Sequence, residues 1–206
     1  LPQGGKPNAL NHGDRMARAE NRAYLDSDVQ VSHDLIAALI AALAADRPLY
    51  VTGTARIPRA KSAITRAYAR FWQSLPFAQS NAPGYGLFAV NAKGRARWAE
   101  FPAIISDDTF VRLQFQPTQR VQLPQTYLWP MIEGFAALTR VRRRQDAGVR
   151  EINRLFPGLL AREARAPLTP PHLLALIARD PLGFASYAAV SLAVRLRKGR
   201  DWTRGR

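Results

Sequence analysis

An α/β fold built on a largely parallel sheet is what this chain of 206 residues predicts. Two observations carry that expectation. Short apolar runs alternate with longer segments of helical periodicity, as in sheets whose strands are joined by helices. The hydrophobic content, 47%, supplies enough apolar side chains for a sizeable core at this length. The composition shifts from Pro167, and two regions are expected: 1–157 as the sheet-bearing part and 158–206 as a basic, apolar helical tail.

The elements follow in order. The chain opens on Leu1, and Leu1-Pro2-Gln3-Gly4-Gly5 reads as the middle of a loop, so the first strands of the sheet are expected to lie upstream. Residues 1–11 read as a Gly/Pro/Asn-rich loop and 11–19 as a helix. Ala23-Tyr24-Leu25 is too short an apolar run for anything but a strand, and the acidic turn Asp26-Ser27-Asp28 ends it. Side chains alternate along a strand, so these two carboxylates are expected to point the same way. Val29-Gln30-Val31 continues the strand, and Ser32 then caps a helix with Asp34 in its first turn. Leu35, Ile36, Leu39, Ile40 and Leu43 share one face of that helix, which stops near Asp46, before Pro48.

Residues 49–52 read as a strand and 60–73 as a helix, with Ile64, Tyr68, Phe71 and Leu75 at helical spacing. Gly84-Tyr85-Gly86 is a turn before the strand 87–90. Ile104-Ile105 reads as a short strand ending at Ser106-Asp107-Asp108, where Ser106 or Asp107 caps a helix over 109–115. Two short strands, 120–123 and 126–129, flank Pro124. Pro170-Pro171 opens a helix through Ile177, and Pro181 opens another over 182–196.

Composition narrows the chemistry. Without cysteine there is no disulfide framework, zinc cluster or thiol nucleophile. A net charge of +15 suits nucleic acid, an anionic membrane surface or anionic small substrates. The basic residues concentrate at 140–150 and 195–206, beside the apolar stretch 173–196. No recognition helix or aromatic-studded strand is recognisable, so no nucleic-acid partner is expected, and a membrane surface fits better. The apolar stretch carries Arg179, Asp180 and Pro181 in its middle and makes a poor single span. An interfacial helical hairpin or a helix packed on the upstream domain is one reading, and a terminal core helix of a soluble protein is an equal alternative. His12, His33 and His172 show no ligand spacing, and Trp72, Trp98 and Trp129 read as core or cleft-lining. No Ser-His-Asp order, phosphate-binding loop or dinucleotide fingerprint occurs. The acidic turn suits a hard cation such as Mg²⁺ shared with a substrate diphosphate.

Several segments, in register, resemble a family 2 glycosyltransferase of the GT-A fold. Gly5-Lys6-Pro7-Asn8-Ala9-Leu10-Asn11 is similar to the family's Gly-Lys…Ala-Leu-Asn stretch, and Tyr24-Leu25-Asp26-Ser27-Asp28 to its strand and D-x-D turn. Gly84-Tyr85-Gly86 resembles the glycine-bearing acceptor segment, Ile104-Ile105-Ser106-Asp107-Asp108 the later acidic pair, and residues 140–148 the basic element ending in Arg…Gly. The resemblance covers roughly residues 5–150. Gln145 stands where processive synthases carry Trp, which argues against long-chain processive synthesis.

The resemblance implies an inverting, metal-dependent transfer of a sugar from a nucleotide-sugar donor to a hydroxyl on a glycan or lipid-linked acceptor. It implies a role in cell-surface polysaccharide or glycolipid synthesis at the cytoplasmic face of the membrane. Asp26 and Asp28 would hold Mg²⁺ or Mn²⁺, with Asp28 the more direct ligand. Lys6, Asn11 and Arg144 would serve the donor, and Gly84, Tyr85 and Gly86 the acceptor. Asp108 would be the general base, with Asp107 tuning it or binding acceptor hydroxyls. The competing reading is a non-catalytic basic module that docks on anionic membrane or nucleic acid.

Overall fold

The computed structural model describes residues 5–79, 82–164 and 166–196; the expectations for residues 1–4 and for the basic run 197–206 lie outside it. Helices α1 (Lys6–Met16), α2 (His33–Leu43), α3 (Ala63–Ser74), α4 (Ala92–Arg95), α5 (Asp107–Leu113), α6 (Phe135–Leu155), α7 (Pro170–Arg179) and α8 (Pro181–Leu196) surround one sheet. Its strands are β1 (Arg22–Leu25), β2 (Gln30–Val31), β3 (Tyr50–Arg56), β4 (Leu87–Val90) and β5 (Arg120–Leu128), in the order β1-β4-β3-β5-β2.

The α/β class holds, but the sheet is mixed rather than mostly parallel. Only β3 and β5 run parallel; β1–β4, β3–β4 and β2–β5 are antiparallel. Alternation of strands and helices predicts parallel pairing only where each helix returns the chain to the same end of the sheet. Here α3 and the segment after it deliver the chain to the opposite end, so β4 runs against both neighbours.

Local chemistry explains most boundaries. The Ser32 hydroxyl accepts the Leu35 N–H at 3.2 Å, a cap of about 1 kcal/mol. Leu35, Leu39 and Leu43, one turn apart, bury their side chains, while Ile36 and Ile40, 46% and 64% exposed, face outward. The inward stripe is therefore narrower than the sequence suggested. Leu35, Leu39 and Leu43 pack with Val51, Leu87, Ala89 and Tyr127 on one sheet face. Tyr24, Tyr50, Phe88 and Val90 point to the other, where Phe110, Val111, Leu113 and Ile152 meet them. This is the period-two alternation of a strand covered on both sides.

Three sequence expectations are overturned. Residues 6–11 are not loop but the start of α1, with Pro7 in the first turn, where its missing N–H costs nothing. Ile104-Ile105 forms no strand: the Ile104 N–H turns back to the Pro102 carbonyl and the Ile105 N–H donates to Glu151, so neither joins a ladder. The two strands around Pro124 are one, β5. Its register to β3 shifts between Thr52↔Gln122 and Thr54↔Thr126, which places Pro124 in the irregularity where its lack of a donor is harmless.

The C-terminal helices pack closely. Val190 sits on Tyr68, Trp72 and Leu138, and Leu176 on Phe71 and Leu75. Arg143 of α6 donates to the Ala193 carbonyl of α8 at 3.2 Å.

Candidate active site

The D-x-D carboxylates are placed by a turn, not by the pleat of a strand. Strand β1 ends at Leu25, and the Val29 N–H closes back on the Asp26 carbonyl at 3.1 Å. The Asp26 N–H in turn donates to the Gly86 carbonyl at 2.8 Å, pinning the acidic turn to the head of β4. Gly86 holds φ +67°, and a Cβ there would sit 2.7 Å from Val29 Cγ2 and 3.4 Å from Asp26 Cβ. Only glycine both adopts this conformation freely and lets the turn lie so close.

The second acidic pair opens α5. Asp107 is buried, and Asp108 is partly exposed with its Oδ1 accepting the Thr109 N–H at 2.6 Å. Ser106 occupies the cap position without a side-chain capping bond. Instead it abuts α6, where a Cβ on Gly148 would lie 3.0 Å from Ser106 Cβ and 3.2 Å from Ile105 Cγ2. The glycine that ends the basic element thus lets α6 lie directly against the turn bearing the acidic pair.

Lys6 joins the two acidic turns. Its Nζ lies 2.7 Å from Asp26 Oδ1 and 3.1 Å from Asp107 Oδ2. Burial pulls the ammonium's pKa down, but Asp107 and then Asp26 outweigh it, and the pKa rises above the ordinary value. Asp107 moves up to about 6: burial is the main cause, Asp108 adds to it, and Lys6 opposes it.

The stability consequence has a definite sign. The folded chain keeps the Asp107 proton up to about pH 6, whereas the unfolded chain releases it near 3.8. Stability from this group therefore falls as pH climbs from about 4 through 6. Asp107→Asn removes that dependence. Relative to the parent, the variant is expected to gain up to about 3 kcal/mol of unfolding free energy between pH 4 and 7.5, read by urea denaturation.

Asp26 belongs to two cavities. A small one, about 20 Å³, is lined by Lys6, Tyr24, Asp26, Gly86, Asp107 and Asp108. A larger one, about 500 Å³, takes Asp26 and Asp28 on one side, Tyr68, Trp72 and Trp129 on another, and Arg142, Arg144 and Gln145 from α6. Both acidic turns thus open on one region, with Asp26 as their shared wall. Among the described residues no group of three or more His, Cys, Asp or Glu is arranged to hold a metal. Asp28 is exposed and has no ion-pair partner among them, while Asp26 is shared with Lys6. Two carboxylates beside an open cavity fit a Mg²⁺-type ion that takes its remaining oxygens from substrate phosphate and water.

The other expected residues divide. Arg144 lines the larger cavity from α6. Gly86 holds the backbone under the acidic turn, while Gly84, at φ +66°, lies against the Tyr50 ring. Tyr85 is committed elsewhere: its ring stacks on Trp129 at 4.9 Å, and its carbonyl accepts the Tyr127 hydroxyl, so the aromatic surface facing the cavity belongs to Trp129 and Trp72. Asn11 serves the scaffold rather than a donor. Its amide oxygen accepts the Phe101 N–H at 2.7 Å and its nitrogen donates to the Phe101 carbonyl at 3.1 Å. The sequence reading missed Tyr68 as a cavity wall. It sits in a helical pattern that reads equally well as core, so no local signal separates the two.

Residues 1–97 match the family described as Glycosyl transferase family 2, a span that holds Lys6, Asp26, Asp28 and Gly86 and stops short of Asp107 and Asp108. No curated protein matches the sequence. Among solved structures, the mannosyltransferase PcManGT from Pyrobaculum calidifontis, in complex with GDP-Man and Mn²⁺, has the same fold, with a TM-score of 0.54 at 20% identity. The match covers 96% of this chain and 56% of that one, so this chain spans little more than half its length. Residues 1–97 thus resemble glycosyl transferase family 2, and the chain carries them on a GT-A-like α/β fold.

Proposed function

We propose that the protein transfers a sugar, with inversion, from a nucleotide-sugar donor to a hydroxyl of a glycan or lipid-linked acceptor, in surface polysaccharide or glycolipid synthesis. The observation that carries this reading is the meeting of the two acidic turns at Asp26 and Lys6. Asp28 and Asp26 hold Mg²⁺ or Mn²⁺, and the ion when bound offsets charge on the leaving diphosphate. Arg144 faces the same phosphates from α6, where guanidinium–phosphate bonds are strong. Trp72 and Trp129 offer flat apolar faces to a sugar ring.

Asp108 takes the proton of the acceptor hydroxyl as its oxygen bonds to the anomeric carbon and the sugar–phosphate bond breaks. Nucleoside diphosphate leaves with the bonding electrons. Asp107 and Lys6 hold the base-bearing turn against the metal turn. The Mn²⁺ and GDP-Man bound by PcManGT support the metal and donor class.

The test is nucleoside diphosphate release from a panel of nucleotide-sugars as Mn²⁺ is titrated. Release is expected to need the metal, and Asp28→Ala is expected to raise the Mn²⁺ concentration for half-maximal rate about tenfold or more. Metal-independent release, or an Asp28→Ala variant with the parent's Mn²⁺ dependence, overturns the assignment.

A further inference from the structure

Helix α8 is apolar on two opposite sides. Its inner side, with Tyr187 and Val190, packs on Tyr68, Trp72 and Leu138. Its outer side carries Leu182, Ala185, Ala189, Leu192 and Leu196, all exposed. These positions recur at steps of three and four, so they form one continuous stripe along the helix. Leu182, Leu192 and Leu196 are 73%, 56% and 73% exposed, and Leu174 on α7 is 66% exposed. Soluble surfaces scatter such residues singly; a stripe running the length of a helix marks an interaction face.

Charge and length decide what covers it. No single described helix is long and apolar enough to cross a membrane, and α7 and α8 meet at a bend of 117°. The 16 residues of α8 reach about 24 Å, short of a hydrocarbon core of about 30 Å. Arg179 and Arg195 end the two helices and are exposed. The sequence after Leu196 brings Arg197, Lys198, Arg200, Arg204 and Arg206, with Trp202 among them and only Asp201 opposing. Such cations are drawn to an anionic bilayer, whereas a second copy of a chain at +15 is repelled. Leu192 and Arg195 also line a cavity of about 330 Å³ that shares Arg142 with the larger, acid-bearing one.

We propose that the α7–α8 elbow is a seat on anionic lipid bilayers: the outer stripe of α8 enters the headgroup–acyl boundary and the exposed Arg179 and Arg195 hold the lipid phosphates. The chain lies on the membrane by this face and does not span it.

Flotation with phosphatidylcholine vesicles, with and without phosphatidylglycerol, tests the seat separately from any transfer activity. The protein is expected to float with the anionic vesicles only. Combining Leu182→Ser, Leu192→Ser and Leu196→Ser is expected to weaken that partition at least tenfold. The chain has no native cysteine, so Leu192→Cys carrying a polarity-sensitive fluorophore gives a second reading that does not depend on the triple variant folding. Its emission is expected to shift to the blue on anionic vesicles. Equal partition of the triple variant, equal binding to neutral vesicles, or an unshifted fluorophore overturns the seat. So does concentration-dependent self-association that the triple variant abolishes, which assigns the stripe to a second copy instead.

Discussion

Asp108→Asn is expected to lower kcat about 10²–10⁴-fold while donor KM and unfolding midpoint stay near those of the parent. The substitution is nearly isosteric, and its amide oxygen can still accept the Thr109 N–H that Asp108 Oδ1 accepts now. Helix α5 therefore keeps its first turn. What is lost is the ability to take a proton from the acceptor hydroxyl, about 3–5 kcal/mol of barrier at that range of rates. The carboxylate's position favours this role over its neighbour's: Asp108 is partly open, while Asp107 is buried and faces Lys6. Single-turnover kinetics on a competent donor and acceptor make the measurement. An Asp108→Asn rate within a few-fold of the parent removes Asp108 as base.

The second large effect is structural. Gly86→Ala is expected to cost about 2–4 kcal/mol of stability and to weaken Mn²⁺ binding with it. Part of that is the left-handed backbone at φ +67°. The rest is contact: the new methyl meets Val29 Cγ2 at 2.7 Å and Trp129 Cδ1 at 3.3 Å, and Val29 closes the acidic turn. Relief of that contact moves the Gly86 carbonyl that anchors the Asp26 N–H. Gly134 shows strain without contact. It has φ +88° and ψ 157° with nothing within 4 Å of its Cβ, so Gly134→Ala carries a backbone penalty alone, about 1–3 kcal/mol. Urea denaturation measures both variants. A Gly86→Ala loss under about 1 kcal/mol shows that neither the strain nor the contact at Gly86 holds the turn.

What could be read from the sequence was local. Ser32 before an apolar helix, the Tyr24-Leu25 run and the Gly84–Gly86 turn each state their structure within a few residues, and each stands as expected. The acidic residues were legible as chemistry, because few side-chain types hold a hard cation or accept a proton. Their arrangement was not legible, since Asp26 and Asp28 are positioned by a carbonyl from residue 86. Strand direction was misread for the same reason: β4 chooses its partners across the sheet, and nothing within Leu87–Val90 says which way they run. The aromatic wall was legible only as core or cleft-lining, because Trp72 and Trp129 come together from α3 and the end of β5, while Tyr85, adjacent to the glycines, backs them.

Helix α1 has a mechanical meaning that reaches beyond its own contacts. Through Lys6 it grips Asp107, and through Asn11 it clamps the Phe101 backbone, so it is fastened at both ends of the segment that leads into α5. It thereby joins the family-matched region to the residues after 97 as one strut. On the proposed function, a tilt of α1 as the donor cleft fills would be felt at Asp108 before any acceptor sugar arrives.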